Sequence, residues 1–137
     1  MSLVIKKKKD YIVNQDMTTN FTTLPILTDG INEGLISTFW NNLGLITGTL
    51  SLQGVAGEII QVPGSGGPDI VGWHNLISAS VTNGVVTAIN GVAVAASLQS
   101  SDAGFDFSTS ATWVRLSWTF SSGTGTMNGS FSLKSFG

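Results

Sequence analysis

The sequence predicts an all-β protein: an antiparallel β-sandwich, jelly-roll-like, behind an extended basic N-terminal arm. Three observations predict it. Residues 113–120 and 126–133 alternate between apolar and polar positions on either side of a glycine-rich link, as strands with one buried and one wet face do. Two Asn-Gly pairs, Asn83-Gly84 and Asn90-Gly91, are each flanked by β-forming residues. No run keeps a helical period over three turns, so helix should be scarce.

Residues 1–20 read as the arm and 21–137 as the sandwich domain. In the arm, Leu3–Ile5 and Tyr11–Val13 are short β-prone pieces around the run Lys6, Lys7, Lys8, Lys9. The polar stretch Gln15–Thr23 marks the boundary. From Leu24 onward, short apolar runs recur about every ten positions, and strands are expected over Pro25–Thr28, Gly34–Trp40, Leu45–Gln53 and Glu58–Val62. Residues 63–69, PGSGGPD, read as a surface loop.

Asn-Gly supplies two residues that accept positive φ, which a type I′ hairpin turn requires. Residues 76–82, 85–89 and 92–98 should then form a three-stranded meander, with Thr82 facing Val85 and Ile89 facing Val92. The alternative is that one Asn-Gly is a bulge. Ser100–Asp106 reads as a loop. The chain should close on an antiparallel hairpin in which Val114, Leu116, Trp118 and Phe120, then Met127, Gly129, Phe131 and Leu133, face the core.

Composition bounds the function. At 137 residues the chain is one domain that buries roughly two thirds of its unfolded surface, so a single core suffices. The absence of cysteine rules out thiolate metal sites and cysteine nucleophiles. Charged residues are only 10% of the chain, against an average of about 25%. Gly, Ser, Thr and Asn take their place on the surface. No window of about 18 apolar residues exists to span a membrane. Met1–Ile5 is too short for a signal-peptide core, and the lysines follow it, so synthesis and retention in a cytoplasm are expected.

Charge is segregated. The first nine residues carry +4; from Asp10 onward Arg115 and Lys134 stand against eight acids, giving −6 there and −2 overall. The basic tether has three readings: a solvated terminus, a docking arm on an acidic neighbouring subunit, or a nucleic-acid contact. The last is weakest. Four lysines could neutralise about four phosphates, but the acidic body would be repelled and no aromatic residues interleave with the lysines.

No catalytic constellation emerges, and no enzyme, cofactor or metal is expected. His74 is the single histidine, without a nominated nucleophile or orienting acid; a ring packed at a strand edge is its simpler role. The string Gly123-x-Gly125-x-x-x-Gly129 joins strands rather than opening a helix, so it is no phosphate loop. Asp102 and Asp106 could offer oxygens to calcium, though turn-capping explains them better. Asn20-Phe21-Thr22 and Asn128-Gly129-Ser130 match the glycosylation sequon but mean nothing without secretion. Arg115, mid-strand on the outer face, has two partners in view: an ion pair with Asp102 or Asp106, which is favoured, or stacking on Trp113. Trp113 is outward, and an outward Trp on a charge-poor sheet suggests a covered patch; Trp73 is the other candidate surface tryptophan.

The segments LPILTDG, GTLSLQG, GWHNL and ATWVRLSWTFSSGTGTMNGSFSLK, in that order, together resemble small β-sandwich virion proteins of tailed bacteriophages. Gly48–Gln53, Trp73–Leu76 and Trp113–Asn128 carry the resemblance, the last most specifically, over about residues 22–135. Between Val55 and Asp69 a Gly/Pro loop replaces the usual short link. The resemblance implies a non-enzymatic virion protein assembled in the host cytoplasm. Foremost is a capsid-decorating (cement) protein that binds the major capsid protein or other virion proteins as a homo-oligomer, a trimer in preference to a dimer, without nucleic acid or membrane. Leu3, Ile5, Lys6, Lys7, Lys8, Lys9 and Tyr11 would then be arm contacts, and Trp73, Trp113 and Arg115 further surface contacts. A host-recognition or carbohydrate-binding fibre module is the alternative.

Overall fold

The computed structural model of the chain describes residues 3–28, 31–41, 43–56, 59–61, 68–70, 72–108 and 111–136. The strands are β1 (Leu3–Asp16), β2 (Phe21–Thr22), β3 (Ile26–Leu27), β4 (Glu33–Trp40), β5 (Thr47–Val55), β6 (Ile59–Gln61), β7 (Pro68–Ile70), β8 (His74–Thr82), β9 (Val85–Ile89), β10 (Val92–Ala93), β11 (Asp102–Phe107), β12 (Trp113–Ser122) and β13 (Thr126–Phe136). A single 3-10 turn, Ala96–Leu98, follows β10.

Two antiparallel sheets pack face to face. The first has the order β1-β13-β4-β11; the second runs β10-β9-β8-β5-β12-β2, with β3 also on β12, and β6 and β7 form a separate ribbon. Their inner faces supply the core. Leu50, Leu52, Val114, Leu116 and Trp118 of the second sheet meet Ile36, Phe105, Met127, Phe131 and Leu133 of the first, all buried. Burying each such side chain stabilises the fold by about 1.5–3 kcal/mol. The burial of β4, exposed and buried by turns from Glu33 to Trp40, is the period-two pattern realised on a strand.

The Asn-Gly turns form as the sequence expects. Asn83, Gly84, Asn90 and Gly91 all have positive φ, Thr82 pairs with Val85, and Ile89 with Val92. The third strand is shorter than 92–98, because the chain leaves the sheet at Val94 for the 3-10 turn.

The expected closing hairpin does not form. β12 and β13 keep their predicted inward residues but belong to different sheets, β12 beside β5 and β13 between β1 and β4. The link between them crosses from one layer to the other. It is bound to the Gly44–Leu45 turn, where Thr124 N donates to Gly44 O at 3.1 Å and Leu45 bridges Thr124 in parallel. At Gly123 (φ +84°) a Cβ would sit 2.5 Å from Leu45 O, so only glycine fits this corner. Alternation fixes which face is buried; it does not choose the neighbouring strand.

Three smaller expectations change. Ser100–Asp106 is not a loop throughout, because β11 starts at Asp102 and pairs with β4; Ala103, Phe105 and Phe107 alternate against Asp102, Gly104 and Asp106. Of the stretch 63–69, residues 63–67 lie outside the described residues and Pro68 begins β7. The two β-prone pieces of the arm are one strand of 14 residues that runs through the lysines along β13, with register shifts after Ile5, Asp10 and Ile12. Pairing through backbone groups does not depend on side-chain type, so a lysine run is accommodated at a sheet edge.

Candidate functional site

The two lateral sides of the sandwich differ, and sequence-nominated residues lie on both. On one side, edge strand β1 of the first sheet meets β2, β3 and the residues between them at the edge of the second. Tyr11 lies at a register shift of β1. Its ring stands edge-on to Phe131, centroids 5.2 Å apart at 89°. Its hydroxyl donates to Leu24 O and accepts from Thr23 Oγ1, and Thr23 Oγ1 in turn accepts from Leu116 N at 2.9 Å. One phenol thus ties the edges of the two sheets together. Burial pushes its pKa up to about 12, against the opposing effects of the Thr23 hydrogen bond and the positive Arg115, so Tyr11 is a neutral donor at ordinary pH.

Further ties hold β1 down. Trp118 Nε1 donates to Met17 O at 2.8 Å, Met17 N to Gly125 O at 3.0 Å, and Asn14 N to Asn128 Oδ1 at 2.9 Å. The other sequon asparagine is occupied likewise, Asn20 Oδ1 accepting from Phe120 N at 2.8 Å. Beside Tyr11 lies a groove of about 360 Å³ lined by Lys9, Tyr11, Leu24, Leu27, Trp113 and Phe131 among others. Trp113, half-buried rather than fully outward, forms one wall. Val13, Leu24 and Leu27 are exposed nearby.

Arg115 does not take either partner foreseen for it. Its guanidinium lies 4.1 Å from the centroid of Trp73, and its Nε donates to Gln53 Oε1 at 2.8 Å. Gln53 Nε2 continues the chain to Asn75 Oδ1 at 2.9 Å. Asp102 and Asp106 are on β11 in the other sheet, out of register with Arg115. Gln53 stands directly opposite Arg115 on β5, and Trp73 enters β8 after the β6–β7 excursion; neither neighbour is visible without the strand pairing. Partial burial lowers the Arg115 pKa, with Tyr11 opposing. The stack joins the excursion to the outer face of the second sheet, so Trp73 and Arg115 come together while Trp113 faces the β1 groove.

On the opposite side, β11 is the outermost strand of the first sheet among the described residues, and Asp102, Gly104 and Asp106 are exposed there. A groove of about 430 Å³ separates it from β8–β10, lined by Ile77, Ile89, Val94, Leu98 and Phe105 together with both aspartates. Asp102 Oδ1 accepts from Ser100 Oγ at 2.5 Å. Four residue steps along the strand separate the two carboxylates by about 13 Å, too far to share one ion. Among the described residues no three His, Cys, Asp or Glu converge as metal ligands. His74 is exposed at the start of β8, opposite Gly54, rather than packed.

No protein-family model matches the chain, and no curated protein or solved structure matches it.

Proposed function

We propose that the chain is a structural protein of a bacteriophage virion, a decoration (cement) protein that binds the outer shell as an oligomer. The observation that carries this reading is a long edge strand bearing Lys6–Lys9, with exposed Val13, Leu24 and Leu27 in the same region. An unpaired strand edge offers backbone donors and acceptors to a partner. The lysines select an acidic partner, and the apolar residues supply contact area. On an otherwise acidic body this strand is the cationic side, the polarity a docking element on an acidic shell needs. Many copies on one particle would make individually weak contacts effective.

The test is co-sedimentation with shells of the phage that carries the coding sequence. Substituting Lys6–Lys9 by Gln should abolish retention while thermal unfolding changes little; undiminished retention refutes the docking role. A second reading, a glycan-binding fibre module, is supported by the aromatic walls of the groove, Tyr11, Trp113 and Phe131. Glycan-array binding lost on Trp113→Ala would favour it.

A further inference from the structure

The two edges of the first sheet carry opposite charge. β1 bears Lys6–Lys9, while β11 presents Asp102 and Asp106. We infer that these edges are complementary halves of one interface: β11 of one copy adds to β1 of the next, continuing the first sheet from subunit to subunit. This goes beyond shell binding and competes with it for β1, because a copy whose β1 edge holds a neighbour's β11 does not offer that edge to the shell.

Topology permits the joint. The order β1-β13-β4-β11 is antiparallel at every step, so with four strands β1 and β11 run in opposite directions. A second copy displaced sideways in the same orientation therefore sets its β11 antiparallel to the first copy's β1. No strand need reverse, and the same face stays inward.

Register supports it too. Following the pairs across the sheet, Lys8 is level with Ser132, Leu35 and Asp106, and Asp10 is level with Ser130, Ser37 and Gly104. Carried over the joint, that register sets Lys8 opposite the next copy's Asp106. Asp10 meets Gly104, so the two acidic positions do not oppose each other. Opposite charges across strands stabilise and like charges destabilise. Pairing of β1 with β1 centred on the lysines, or of β11 with β11 centred on Gly104, about a two-fold axis would bring lysines to lysines or Asp102 to Asp106. The charge pattern thus selects a head-to-tail contact, which closes into a ring when the rotation per subunit permits and otherwise extends. The apolar groove beside β11, with Ile89 and Leu98 exposed, gives the joint a hydrophobic flank that a bare strand edge lacks.

The experiment uses the full chain. Light scattering after size exclusion should give a multiple of 14.3 kDa, and raising salt from 0.05 to 1 M should weaken association about tenfold or more. Asp102→Lys with Asp106→Lys, both exposed, should give a monomer that still unfolds in one cooperative transition, at a lower temperature than the assembled wild type. The chain has no cysteine, so single-cysteine variants report geometry: Lys8→Cys mixed with Asp106→Cys should form disulfide-linked dimers, and neither variant alone should. A monomeric wild type, an oligomer indifferent to the aspartate substitutions, or disulfides within either variant alone would overturn the inference.

Discussion

Tyr11→Phe removes one oxygen atom from the only phenol in the chain, and the structure sets both the size and the pH dependence of the loss. At pH 7–9 the hydroxyl donates to Leu24 O and accepts from Thr23. A net hydrogen-bond contribution is about 1 kcal/mol. Leu24 is exposed, so water can replace part of the interaction and the loss should not exceed that. For a domain of this size the melting temperature should fall by about 3 °C. Above pH 10 the difference shrinks. Because burial raises the folded-state pKa from 10.0 to about 12, the native state holds this proton where the unfolded state has released it. The stabilisation is complete below pH 10 and is lost as pH rises toward 12. A two-unit shift is at most about 2.7 kcal/mol; partial exposure of the ring reduces it to about 1–2 kcal/mol. Wild type should therefore lose that much more stability than Tyr11→Phe between pH 9 and 11.5, and the gap between the two should close. Urea unfolding at pH 9, 10.5 and 11.5 measures it. Parallel stability curves for the two proteins would refute the buried-phenol argument.

Two further substitutions probe the corner and the outer face. Gly123→Ala should cost at least about 2 kcal/mol, since it combines a positive φ with a contact to Leu45 O, whereas Gly91→Ala, positive in φ but with open space around it, should cost only about 1–2 kcal/mol; comparison of urea midpoints isolates the contact. A double-mutant cycle on Trp73→Ala and Arg115→Ala should give a coupling of about 0.5–1 kcal/mol, and a zero coupling would show that the stack contributes nothing to stability.

The parts of the molecule that were legible in the sequence are those set by local rules. Asn83-Gly84 and Asn90-Gly91 fix their turns and, through two-residue loops, the pairs beside them, Thr82 with Val85 and Ile89 with Val92, whereas the register shift between Ser80 and Val81 further along β8 has no local signal. The inward faces of β12 and β13 follow from alternation. The illegible parts are pairings between distant segments. Nothing local says that β12 lies beside β5 and β13 beside β4, because the same apolar stripe can line either sheet. Arg115 illustrates the consequence: its partners, Gln53 and Trp73, are neighbours only once β5 and β12 are paired. β11 was concealed by its two aspartates and glycine, which read as turn residues, although Ala103, Phe105 and Phe107 already alternate with them. The N-terminal lysines were legible as a charge cluster, and their place on a strand beside β13 was not.

Hydrogen exchange, compared between protein diluted to monomer and protein bound to shells, tests most directly the claim that the sheet edges are where this protein meets others. New protection should appear in residues 3–16 and 102–107, while the centres of β5 and β12, internal in the second sheet, should be protected equally in both states. Protection gained instead around Trp73 and Arg115, with β1 and β11 unchanged, would contradict the account.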